Sequence, residues 1–333
     1  MKKTKYIAFI GTGAWASALA NVVSQNGYHV KMYGINDQEI SEINKGFNRK
    51  YFGNRSFTNP ENIQASTDLE YVLKDCETAV IAIPSVAIRS VLKQLSAILK
   101  YKKINIVNVS KGFDDLSGEF LSDLIKTKLN RNLKSFATFA GPSYASEVFE
   151  EHLTLINVFA SNKDFEELLI QKFNNHYFQL IPCADEHTGE ILAALKNVLA
   201  IGIGISSFNH PGKNSHSALI SIGTKEILQI ALQLKPSTNV AIGFELAGIG
   251  DIFLTCSSTQ SRNFTFGYSI AEKGLKETLK KQELTVEGYA SAKTLAKILQ
   301  QNNIKNVPLL ESIITILQGQ KEPLLLTDFL IKN

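Results

Sequence analysis

Four stretches of this 333-residue chain hold residue types that do chemistry in combination: a glycine turn, two lysines in unlike settings, and a polar run ending in Arg-Asn. Gly11-Thr12-Gly13-Ala14-Trp15-Ala16 has the G-x-G-x-x-A spacing of a dinucleotide turn. Gly11 permits the tight turn, Gly13 lets the backbone approach a pyrophosphate, and Ala16 allows close helix packing, while the helix N-terminus attracts negative charge. A plain glycine turn without a ligand would show the same residues. About 20 residues on, an acidic side chain is expected to meet the ribose. Tyr33-Gly34-Ile35-Asn36-Asp37 places Gly34 and Ile35 there, with Asp37 slightly late. This feature does not separate NAD from NADP, and use of both is expected.

Lys196 stands in Ile191-Leu192-Ala193-Ala194-Leu195-Lys196-Asn197-Val198-Leu199-Ala200, with only apolar neighbours one helical turn away. Such a lysine either snorkels, with its amine in water, or is functional. In a closed site, burial would lower its pKa and suit it to acid/base work near neutrality. Lys111 follows a strand-like run, on the edge where doubly wound sheets bind ligands, though a surface lysine is the simpler reading. Gly141-Pro142-Ser143-Tyr144-Ala145 also follows a strand, and a turn capped by Ser143 explains it equally well. Ala247-Gly248-Ile249-Gly250-Asp251 leads into a hydroxyl-rich run that ends Gln260-Ser261-Arg262-Asn263. Arg, Ser and Asn together can hold a phosphate, and a solvated loop has the same composition. The six histidines show no metal-ligand spacing, and neither a G-x-S-x-G elbow nor a Walker loop is present.

The elements that must position these residues are legible in outline. Tyr6 to Ile10, Ala14 to Gln25 and Tyr28 to Tyr33 read as strand, helix, strand, a βαβ unit. Further strands are expected at Thr78 to Ile83, Ile104 to Val109, Phe136 to Ala140, Thr154 to Phe159 and Tyr177 to Ile181, several separated by helical segments such as Val86 to Leu99. The fold class is therefore α/β: an N-terminal Rossmann domain with a parallel, doubly wound sheet over residues 1–188. From about Glu186 the pattern turns helical, as in Glu190 to Ile201 and Ser217 to Leu234, predicting an all-helical domain over 189–333. No linker separates the two, so a cofactor and a substrate are expected to meet in a cleft between them.

Composition narrows the class. With 44% apolar and 20% charged residues, the chain is neither disordered, collagenous nor a coiled-coil rod. The net charge of +4 is spread without a basic stripe, which disfavours nucleic acid as a partner. Three cysteines without disulfide or metal spacing suit a reducing compartment, and the cytoplasm is expected. Met1-Lys2-Lys3-Thr4-Lys5 with Ala16-Ser17-Ala18 imitates a secretory leader, but glycines break its apolar core after Ile10. No charge-free run reaches the roughly 18 apolar residues of a membrane span. The sequence leaves a homodimer open.

Taken together, Gly11 to Ala20, Ser110-Lys111-Gly112, Gly141 to Ala145, Leu195-Lys196-Asn197-Val198, Ala247 to Asp251, Gln260 to Asn263 and Val286-Glu287-Gly288-Tyr289 resemble the bacterial-type NAD(P)-dependent glycerol-3-phosphate dehydrogenases nearly from end to end. The resemblance implies reduction of dihydroxyacetone phosphate to sn-glycerol 3-phosphate by NADH or NADPH, feeding phospholipid synthesis. It implies Lys196 as the acid/base at the C2 oxygen. Lys111, Gly141, Ser143, Lys196, Asp251, Ser261, Arg262 and Asn263 would line the substrate site, and Gly11, Gly13, Ala14, Trp15, Lys111, Ala145, Arg262 and Glu287 would touch the cofactor.

Some positions depart from the family pattern. Ser221-Ile222-Gly223 lacks a central Arg, Trp15 replaces a smaller aromatic, Tyr51-Phe52-Gly53-Asn54 lacks Leu-Pro, and Ile35 stands where a polar residue is usual. The competing readings are a 3-hydroxyacid or 6-phosphogluconate dehydrogenase of similar architecture and a nucleotide-binding regulator without turnover. Arg262-Asn263 with the two lysines argues against the first, and retention of Lys196 and Asp251 against the second.

Overall fold

The computed structural model describes residues 6–114, 116–280 and 286–331. The leader-like Met1 to Lys5 thus lies outside the described residues, whereas Ala16 to Ala18 is buried inside a helix. Contacts divide the chain into two units, one of residues 1–110 with 121–186, the other of 111–120 with 187–333.

The first unit is built on eight strands, β1 (Tyr6–Ile10), β2 (Val30–Tyr33), β3 (Ile63–Ser66), β4 (Cys76–Ile81), β5 (Ile104–Asn108), β6 (Leu133–Ala140), β7 (Thr154–Ala160) and β8 (Phe178–Pro182). They form one sheet in the order β3-β2-β1-β4-β5-β6-β7-β8. Its helices are α1 (Ala14–Gln25), α2 (Asp37–Asn44), α3 (Arg49–Phe52), α4 (Leu69–Leu73), α5 (Ser85–Leu99), α6 (Leu121–Lys128), α7 (Ala145–Phe149) and α8 (Lys163–Phe173). Along β1, Ile7 and Phe9 enter one hydrophobic cluster with α1 and α8, while Ala8 and Ile10 enter another with α4, α5 and α6. A strand buried on both faces reads as a continuous apolar run, which is why β1 stands out in the sequence.

The sheet is not wholly parallel as the sequence suggests: β7 runs antiparallel to β6, and β8 then pairs parallel with β7. The connection explains it. The only helix between β6 and β7 is the five-residue α7, about 7.5 Å long at 1.5 Å per residue. That is far shorter than the eight-residue β6, roughly 26 Å, and no long crossover helix returns the chain along the sheet between these two strands.

The second unit contains α9 (Glu186–Asn209), α10 (Lys213–Leu234), α11 (Asp251–Ser257), α12 (Arg262–Lys273), α13 (Leu275–Lys280), α14 (Glu287–Gln301) and α15 (Pro308–Leu317). Helix α9 is long and apolar enough to cross a membrane, but 89% of its most apolar window is buried in the protein. Apolar residues all around a helix are what a core helix requires. Glu226 of α10 accepts the backbone N–H groups of Leu309 and Leu310, both at 2.9 Å, satisfying donors at the start of α15.

Candidate active site

In the first unit, β1 hands over to α1 through the glycine turn. Gly11 has φ 128°, and a Cβ there would lie 2.3 Å from the Ala82 carbonyl oxygen, so no other residue fits. Gly13 has an ordinary φ of −63°, and a Cβ on it would meet nothing within 4 Å. Space is therefore open above Gly13. The first N–H bonded within the turn of the helix is that of Ser17, to the Gly13 carbonyl at 2.9 Å, which leaves the earlier amides of α1 unbonded by it. No acidic residue occupies the first turn. These residues fit a dinucleotide's pyrophosphate: an open cradle, free N–H groups and a positive helix end.

Gly13→Ala tests this cradle with little risk to the fold, because the new methyl touches no protein atom. Loss of about tenfold in NADH affinity with an unchanged melting temperature is expected, and unchanged affinity in a fluorescence titration would refute the cradle.

Ala14, Trp15 and Ala145 are half-buried and pack against one cluster, which joins α1 to α7. Gly141 is buried directly after β6, and the Ser143 hydroxyl donates to its carbonyl at 3.1 Å.

In the second unit, Lys196 does not snorkel. Its side chain is 5% exposed, and its Nζ lies 2.5 Å from Asp251 Oδ1 and 2.7 Å from Thr255 Oγ1. Asp251 opens α11 after a π-type turn over Leu246–Gly250, in which Gly248 breaks the helical backbone. One turn later Thr255 donates its hydroxyl proton to the Asp251 carbonyl at 2.7 Å, so its lone pair faces the Lys196 ammonium. The other Asp251 oxygen lies 3.5 Å from Lys111 Nζ. One buried carboxylate thus serves two lysines.

Burial is the main cause that lowers Lys196 to about 8; the Asp251 carboxylate opposes it and the neighbouring Lys111 charge assists it. For Lys111 burial also acts downward, but the Asp251 and Glu287 carboxylates outweigh it and its pKa is raised. The pair is therefore split into a lysine that stays charged and one that titrates near neutrality. Cys256, fully buried beside them, has its thiol pushed up by burial and does not supply a thiolate.

A second network adjoins this one in sequence. Asn197 donates to Glu287 at 3.2 Å and accepts from Asn263 at 2.9 Å, and the Asn263 carbonyl accepts the Gly288 N–H at 2.9 Å. Asn263 is buried and ties α9 to α14, while Arg262 beside it is exposed. Among the described residues the Arg262 guanidinium has no carboxylate or hydrogen-bond partner. Ser261 caps α12 by accepting the Phe264 N–H at 3.3 Å.

The polar run is therefore a helix start with an unpaired guanidinium rather than a formless loop. Sequence reasoning missed Thr255 and Asn197. The i, i+4 spacing from Asp251 could have flagged Thr255, whereas nothing local distinguishes Asn197.

Two family models match the chain, the NAD-dependent glycerol-3-phosphate dehydrogenase N-terminus over residues 6–166 and its C-terminus over residues 185–328. A curated glycerol-3-phosphate dehydrogenase (NAD(P)+) of Malacoplasma penetrans is 41% identical over 95% of this chain and 93% of its own. That of Geobacillus kaustophilus is 34% identical, covering 95% and 91%. A crystal structure of glycerol-3-phosphate dehydrogenase from Coxiella burnetii superposes with a TM-score of 0.90 at 28% identity, covering 99% of both chains.

Proposed function

Because the chain belongs to the NAD-dependent glycerol-3-phosphate dehydrogenase family, we propose that it interconverts dihydroxyacetone phosphate and sn-glycerol 3-phosphate with NAD or NADP, using Lys196 as the proton carrier. The observation that carries the role of Lys196 is its burial against Asp251, which leaves an amine titrating near 8. At neutral pH the amine is charged, and in the reduction it gives its proton to the oxygen on C2. Asp251 and Thr255 fix the position of Nζ, so little freedom is lost when the carbonyl arrives. The nicotinamide, when bound, supplies the hydride for reduction and accepts it in the reverse direction.

Lys111, which stays charged, steadies the negative charge that grows on that oxygen. Arg262 takes the phosphate, the role its free guanidinium fits. Asp251 holds the two lysines in place, and Ser261, Asn263, Gly141 and Ser143 complete the substrate site. Gly11, Gly13, Ala14 and Trp15 would hold the cofactor, with Lys111, Ala145, Arg262 and Glu287 as further contacts. Glycerol 3-phosphate made in this way would supply phospholipid synthesis in the cytoplasm. Oxidation of NADH and NADPH by dihydroxyacetone phosphate, followed at the nicotinamide absorbance with the product identified, tests the assignment. No turnover with either cofactor would defeat it.

The pH dependence follows from the same amine. In reduction Lys196 must start protonated, so kcat/KM for dihydroxyacetone phosphate is expected to fall as pH rises through about 8. In oxidation it must start neutral, and that rate should rise through the same pH. Asp251 raises the pKa of Lys196, so Asp251→Asn should move both limbs to lower pH. Limbs that stay in place in this variant would assign them to another group.

A further inference from the structure

The segment between α2 and α3, which leads into the Tyr51-Phe52-Gly53-Asn54 run that departs from the family pattern, is not used by the chemistry above. Asn48, at the start of α3, is fully buried, and its amide nitrogen donates to the Thr12 carbonyl and to Ser17 Oγ, both at 2.9 Å. Thr12 is the middle residue of the glycine turn. Its hydroxyl is also engaged, donating to Glu39 Oε2 at 2.7 Å, and Lys50 Nζ meets the other Glu39 oxygen at 2.6 Å. The turn is thus gripped from outside by two helices that the nucleotide fingerprint does not include.

A trans peptide points its C=O and N–H in opposite directions. Holding the Thr12 carbonyl toward Asn48 therefore turns the Gly13 N–H away from it. That N–H bonds no protein group among the described residues. We propose that Asn48 is a positioning residue for the cofactor: it locks the Thr12–Gly13 peptide so that the Gly13 N–H faces the pyrophosphate. The Ser17 hydroxyl also donates to the Thr12 carbonyl, but at 3.3 Å; without the shorter Asn48 bond the peptide is freer to turn its carbonyl toward the phosphates, which replaces a donor by an acceptor. The inference rests on the dinucleotide reading of the glycine turn.

The test is NADH affinity by fluorescence titration, with the melting temperature of each ligand-free protein. Asn48→Asp keeps the shape and removes the donor, and Asn48→Ala removes the side chain and stands in if the aspartate variant fails to fold. Asn44→Ala is the matched control, since Asn44 also makes two hydrogen bonds, to Ala65 N and O at 2.8 and 3.0 Å, but ties α2 to β3 away from the turn. A rise in Kd of tenfold or more in the Asn48 variants, with Asn44→Ala within threefold of wild type, is expected. An unchanged Kd at position 48, or an equal rise in the control, would overturn the role of Asn48 alone. Failure of wild type to bind NADH would instead remove the dinucleotide reading itself.

Discussion

Lys196→Ala is expected to lower turnover by about two to four orders of magnitude, the range for loss of a positioned acid or base. The fold should survive, because Asp251 keeps Lys111 as a second cation and Thr255 still bonds the Asp251 carbonyl. NADH affinity should barely change, since Lys196 is not among the cofactor contacts proposed above. The decisive comparison is kcat at saturating cofactor and substrate. A variant that keeps more than about a tenth of wild-type turnover would make Lys196 a counter-ion for Asp251 and nothing more.

Arg262→Ala should weaken kcat/KM for dihydroxyacetone phosphate by about 2 to 4 kcal/mol, on the scale of removing one partner of a desolvated charged pair. The poor rate with dihydroxyacetone, which has no phosphate, should hardly move. Binding energy from the unreacting phosphate serves to orient the carbonyl, so its loss appears in turnover as well as in binding. Arg262 makes no ion pair within the described protein, so the substitution breaks no structural contact that could blur the result. A cofactor effect would strike both substrates alike, and measuring NADH affinity on the same variant removes it. Equal losses on both substrates would show that another group holds the phosphate.

Much of this architecture was legible because it rests on local signals. Buried parallel strands announce themselves as apolar runs, and β1 with its glycines and α1 fall where the pattern places them. Four-residue β3, Ile63–Ser66, went unseen because so short an edge strand has little periodicity. The reversal at β7 depends on how far a connection reaches, which a strand's own residues do not encode.

The site divides in the same way. Lys196 was conspicuous as a charge among apolar neighbours, whereas its pairing with Asp251 joins positions 55 residues apart. Asn263 shows the limit of composition. It sits beside Arg262 in the polar run, yet its amide is turned inward to Asn197 and Gly288 while the guanidinium faces out.

Burying Lys196 also links the folding equilibrium to proton uptake. In the unfolded chain this amine titrates near its ordinary 10.5, and in the folded chain near 8. Between those pH values the unfolded chain holds a proton that the folded chain has released, so this group makes the protein more stable as pH rises across that window. Below it both states are protonated, and the folded state bears the full cost of the shift, on the order of 3 kcal/mol. Denaturation of wild type and Lys196→Ala between pH 8 and 10.5 should therefore differ in slope, wild type gaining stability relative to the variant. The helical unit must offset that cost with the packing of α9 around the charge, so the residue that equips the enzyme for proton transfer at neutral pH weakens its fold under those same conditions.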